Sequence, residues 1–158
     1  MKRKYSALLI LLPLLFQPSI SQGGPCDDYY KTTLSAQLRQ DQNRSDGSIL
    51  VFGDSIIQSI SFSDAAHTIV NYGIACDTIP RLTKRILQYP SIKTASKIFI
   101  NIGINDILFY TPVGSKKDYF TYTYYQLIKQ LPQKTPVFFI CILPVNENQG
   151  EHLKGHNE

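Results

Sequence analysis

Three short clusters in this sequence hold groups that could do chemistry together: Gly53-Asp54-Ser55, Asn71-Tyr72-Gly73 and Gly103-Ile104-Asn105-Asp106. A serine hydroxyl is a nucleophile, a free backbone N–H is a donor, and an asparagine carboxamide is a second donor. Alone, a glycine at a strand exit is ordinary turn chemistry. Brought into one cleft, the three clusters would set a nucleophile beside donors aimed at a developing oxyanion, which is what acyl transfer requires. Ser55 also falls at a predicted helix start, where orphan N–H groups and the helix dipole favour negative charge.

The elements around the clusters decide whether they can meet. Residues 48–52, 67–72, 97–102 and 136–143 are apolar, β-branched runs, the first three closed by Gly53, Gly73 and Gly103 and the fourth by Pro144, and they read as buried strands. Helices are predicted over 28–42, 55–61, 78–89 and 118–131, with a polar link at 40–47. Short apolar strands alternating with helices imply a parallel sheet, and right-handed crossovers turn it into a three-layer α/β/α sandwich of flavodoxin-like type. Parallel strands end at a common edge, and ligands bind outside that edge in such sheets. The three clusters therefore converge.

The same residues resemble the SGNH/GDSL hydrolase family. Val51-Phe52-Gly53-Asp54-Ser55 is similar to its first block, Asn71 to Thr78 to its second, and Ile100 to Asp106 to its third, a Gly-x-Asn-Asp motif. Ile142-Leu143-Pro144-Val145-Asn146 is similar to the segment closing the family's fourth strand. The resemblance implies a strand order of 2-1-3-4 and a serine esterase or acylhydrolase acting on a small-molecule, lipid or carbohydrate ester. It implies Ser55 as nucleophile, with the Gly73 N–H, the Asn105 side chain and the Ser55 N–H forming an oxyanion hole. Asp54 and Asp106 are expected to brace their loops by accepting backbone N–H bonds. No cofactor and no metal are implied, and the three cysteines lack the paired spacing of a zinc site.

One block of the family pattern is absent. No Asp-x-x-His follows the third block, where the family carries its base and orienting acid, and the chain reads as C-terminally truncated with the fifth strand missing. The one such run, Asp64 to His67, precedes the second strand. A serine without a base is a poor nucleophile. His67 opens the second strand, about 20 Å from the active edge at 3.3 Å per residue, and is excluded. His152 and His156 lie in a polar tail, 147–158. A non-catalytic binding protein that keeps the oxyanion pocket is the rival reading. Without a fifth strand, 137–143 is expected to form a bare apolar edge prone to self-association.

Composition narrows the setting. Residues 1–21 combine a basic start (Lys2, Arg3, Lys4), an apolar run and small residues before Ser21, which reads as a secretory signal cleaved after Ser21. The apolar run is too short for a stable membrane span, so a secreted or periplasmic protein is expected. The 16 basic residues less those three leave thirteen against 12 acidic, which gives no pull towards nucleic acid. The divisions are then 22–47 for an N-terminal helix and link, and 48–146 for the hydrolase-like domain. Cys26 and Cys76 fall towards one edge, leaving a disulfide open in an oxidising compartment. Cys141 is expected to be buried, and Tyr122 and Tyr125 to pack on the inner face of their helix.

Overall fold

Four of the apolar runs pair into one parallel sheet in the computed structural model of the chain, which describes residues 25–109 and 115–142. The strands are β1 (Ile49–Gly53), β2 (Ile69–Gly73), β3 (Lys97–Asn101) and β4 (Val137–Phe139), in the order β2-β1-β3-β4. This is the α/β fold and the strand order that the resemblance implied. Gly53 stands opposite both Gly73 and Asn101, so β1, β2 and β3 end level with one another. The predicted convergence of the clusters follows from that register.

Alternate residues of the strands point to one face, where Leu50, Phe52, Val70, Tyr72, Ile98 and Ile100 are buried. Helices α1 (Pro25–Asp41), α3 (Ile79–Arg85) and α5 (Lys116–Gln130) cover it with Leu34, Leu38, Ile79, Leu82 and Leu127. Each aliphatic side chain fully buried there contributes roughly 1.5–3 kcal/mol. The opposite face is apolar too, and Ile49, Val51, Ile69 and Phe99 line a groove of about 290 Å³ with Phe62 and Ile140. The described chain also has two short α-helices, α2 (Ser55–Gln58) and α4 (Ile104–Phe109), the second unanticipated from sequence, and a 3₁₀ turn at Pro90–Lys93.

Several expectations are corrected. The predicted helix 78–89 leaves α-geometry after Arg85 and continues as a 3₁₀ turn, Ile86–Gln88. The fourth strand is shorter than 136–143. The Ile140 N–H still bonds to the Ile100 carbonyl, but β3 then ends and the Asn101 carboxamide takes the carbonyls of Ile140 and Cys141 instead. Cys141 is exposed rather than buried for that reason, since it lies beyond the ladder. Tyr122 and Tyr125 face solvent at 65% and 53% exposure, because α5 turns Phe120, Thr123, Tyr124 and Leu127 inward.

The open disulfide is formed. Cys26 at the start of α1 joins Cys76 after β2, with Cα atoms 6.1 Å apart and a sequence separation of 50. A loop of that length is worth about 4 kcal/mol in the chain-entropy account. The segment 1–21, the end of the fourth block at Asn146, and His152 and His156 lie outside the described residues.

Candidate active site

Ser55 is the first residue of α2 and is exposed, two residues after the last of β1. Asp54 caps that helix, its Oδ1 accepting the Ile56 N–H at 2.9 Å. The cap fixes the turn that presents Ser55. Asp54 itself is fully buried, and among the described residues its Oδ2 has no partner. Burial raises its pKa, the charge of Asp106 adds to the rise, and the Ile56 N–H opposes it.

The second cluster packs directly on the first. Asn71 Nδ2 donates to the carbonyls of Ile57 (2.7 Å) and Ile60 (2.8 Å), tying β2 to α2. Gly73 must be glycine, because a Cβ there would overlap the Gln58 backbone. Its N–H is not the free donor the sequence suggested: it bonds to Asn71 Oδ1 at 2.8 Å, closing an Asx turn. The next three N–H groups behave differently from one another. Ile74 donates to the Gly53 carbonyl and Ala75 to Gln58 Oε1, whereas no described acceptor faces the N–H of Cys76. Cys76 has φ +60°, the one non-glycine residue with positive φ among those described.

The third cluster reaches the same edge through a turn at Gly103, whose φ of +118° only glycine adopts readily. Asn105 is buried, and its Nδ2 donates to the Asp77 carbonyl at 2.8 Å. A carboxamide carries two N–H donors, so one remains. Asp106 spans two elements: Oδ2 accepts the Ile79 N–H at 3.0 Å, and Oδ1 accepts the Tyr119 hydroxyl at 2.8 Å. Burial raises its pKa, and those two bonds oppose the rise. Cys76 and Asn105 line one cavity of about 480 Å³, with Cys26, Thr78, Pro80, Arg81 and Lys84 at its wall.

The one described histidine is remote from this edge. His67 precedes β2, at the opposite end of the sheet, and its Nδ1 lies 3.3 Å from Asp64 Oδ1. No described group of three or more His, Cys, Asp or Glu side chains could hold a metal ion. Sequence reasoning gave no role to Arg85, and none to the Asn71 side chain or the Cys76 N–H, although it singled out Asn71 and Cys76. The run Cys76-Asp77-Thr78 offered one usable signal, since Asp77 and Thr78 are N-terminal helix residues that put Cys76 in a turn.

Comparison with known proteins follows the same residues. Residues 19–156 match a family model described as GDSL-like Lipase/Acylhydrolase. No curated protein matches the chain. Among solved structures, the chain is similar to a protein of Streptococcus pneumonia described as a candidate platelet activating factor. That pair has TM-score 0.68 and 22% identity over 84% of this chain and 64% of that one. A member of the lipolytic protein G-D-S-L family from Veillonella parvula has TM-score 0.46 and 22% identity over 58% and 56% of the two chains. An acetyl xylan esterase from Geobacillus stearothermophilus has TM-score 0.44 and 16% identity over 60% of each. The chain thus spans less than two thirds of the length of each.

Proposed function

The chain belongs to the GDSL-like lipase/acylhydrolase family, and on that premise we propose that Ser55 attacks the carbonyl of an ester to form an acyl-enzyme, which water then hydrolyses. The carrying observation is the level ending of β1, β2 and β3, which gathers an exposed serine, an unpartnered loop N–H and a carboxamide with a spare donor. In this reading the oxyanion receives the N–H of Ser55, the N–H of Cys76 and the second Nδ2 proton of Asn105. Gly73 supports the site through space rather than as a donor. Asp54 and Asp106 are supporting residues that hold the loops. The substrate is a small-molecule ester whose acyl group enters the cavity between Cys76 and Asn105, with lipid and carbohydrate esters both within the class.

Export is part of the reading. The signal-like segment 1–21 and the disulfide both suit an oxidising compartment outside the cytoplasm. No described helix is long and apolar enough to cross a membrane.

Among the described residues no histidine stands beside Ser55 to act as its base. The one Asp-x-x-His run of the sequence, Asp64 to His67, precedes β2 and so lies at the wrong end of the sheet. That observation favours a second reading, a binding protein that keeps the pocket without turnover. Imidazole in solution separates the two, because it can take the serine proton in place of a side chain. We expect the chain to hydrolyse p-nitrophenyl acetate about 10⁴-fold or more below the level of a complete triad. Added imidazole should raise the difference in rate between wild type and Ser55→Ala. Equal rates for the two proteins at every imidazole concentration would overturn the esterase reading.

A further inference from the structure

Arg85 is the largest side chain fully buried in the described protein, and its side chain is 1% exposed. Removing a guanidinium from water costs several kcal/mol unless its donors are matched. Here they are matched by groups drawn from the machinery of the site. Nη2 donates to the Tyr72 carbonyl at 2.9 Å and the Gly53 carbonyl at 3.3 Å, the last residue but one of β2 and the last of β1. Nε donates to Asp77 Oδ2 at 2.9 Å, and Nη1 to the Tyr89 hydroxyl at 2.8 Å.

Each acceptor leads to one part of the proposed oxyanion hole. Gly53 is two residues before Ser55. Tyr72 lies near the end of β2, just before the loop that carries Cys76. Asp77 follows Cys76, and its own carbonyl receives the Asn105 carboxamide. Tyr89 Oη in turn donates to Gln37 Oε1 at 2.6 Å, while Gln37 Nε2 donates to the Gly73 carbonyl at 3.0 Å, so α1 joins the same network. One planar, rigid fork therefore ties the ends of β1 and β2 to Asp77, and through the Asp77 carbonyl to the Asn105 loop.

Resting on the proposed esterase reading, we infer that Arg85 is a positioning residue of the active site: it touches no substrate, and it fixes the separation between Ser55 and the Cys76 and Asn105 donors. An apolar residue of equal volume would fill the space and leave that spacing unset. A misplacement on the order of 1 Å costs about 100-fold in rate.

The experiment compares wild type, Arg85→Lys and the milder Tyr89→Phe, which removes only one anchor of the guanidinium. The first readout is the Ser55-dependent, imidazole-supported hydrolysis of p-nitrophenyl acetate. The second is the amide spectrum of ¹⁵N-labelled protein. We expect Arg85→Lys to lower kcat about 10- to 100-fold with KM within about twofold, and Tyr89→Phe to lower it less. The Ser55 and Cys76 amides and the Asn105 carboxamide should shift in both variants, while amides of α5 stay put. Unshifted site resonances, or a folded variant with wild-type kcat, would overturn the positioning role. A wild type with no Ser55-dependent rate would instead remove the esterase reading, and the spectra would still decide whether Arg85 sets the loops. Should Arg85→Lys not fold, Tyr89→Phe carries both readouts.

Discussion

Three buried carboxylates surround the proposed site, and burial raises the pKa of each, that of Asp77 to about 6 against the pull of Arg85. An unfolded Asp titrates near 3.9. The folded chain therefore holds protons that the unfolded chain releases, and the stability this gives is full below about pH 3.9 and lost as pH rises through about 6. Asp54 is the most revealing of the three, because its Oδ2 lacks a described partner when ionised. The melting temperature should fall between pH 4.5 and 7. Asp54→Asn should flatten that slope, since Asn still caps α2 and cannot ionise. A melting temperature that rises with pH over the window, in wild type, would contradict this account of the burial.

Residue type and local order made Ser55, Asn105, Asp54 and Asp106 legible, because a cluster closing an apolar run needs no tertiary knowledge to be noticed. Cys76 was not legible for the opposite reason. Its unpartnered N–H sits at a residue with positive φ, in a loop joined by a disulfide to Cys26 fifty residues away. Gly73 misled, because a glycine is flexible by type, yet here its N–H is consumed by Asn71 and its small size serves the approach of α2. Arg85 was silent in sequence, since an arginine in an amphipathic helix ordinarily faces water.

Among elements, the strands were read well and the helix faces less so. Short apolar, β-branched runs closed by glycine read as buried strands, and their order came from the family resemblance. The phase of α5 was misjudged because tyrosines and phenylalanine occur on all its sides, so hydrophobicity alone gave no preferred face. Contact with the sheet chose Phe120, Tyr124 and Leu127. Tyr124 also donates its hydroxyl to the Ile102 carbonyl at 2.6 Å, which anchors the turn before Asn105.

The edge element carries its own expectation. Among the described residues β4 pairs with β3 on one side only, and Phe138, Phe139 and Ile140 are 46%, 42% and 46% exposed. An uncharged, β-prone edge is a template for pairing with another copy. The chain should sediment as a concentration-dependent mixture of monomer and larger species, and Phe138→Lys should shift it towards monomer. A wild type that stays monomeric at high concentration would show that the edge is covered.

At the scale of the whole molecule, the sheet is a frame that brings three strand ends level, and the proposed chemistry depends on that alignment. The fold needed only the pattern of apolar runs. The site needed the three ends to be brought to one edge, and then a buried arginine, a disulfide and an Asx turn to set the spacing between them. Those last features act across long sequence separations, which is why they were the part not legible in advance. The likeness to the Streptococcus pneumonia protein, at TM-score 0.68, rests on the same frame.

The central claim is that Ser55 is the nucleophile of this frame, and covalent capture tests it most directly. The folded chain would be treated with a fluorophosphonate in imidazole buffer, so that the serine oxygen bonds to phosphorus as fluoride leaves, and the product mapped by peptide mass. The account predicts one phosphonylated peptide, the one containing Ser55, absent in Ser55→Ala, slowed about 10-fold or more in Asn105→Ala, and absent in urea-unfolded wild type. Labelling confined to other residues, or a Ser55 adduct forming as fast in the unfolded chain as in the folded one, would contradict it.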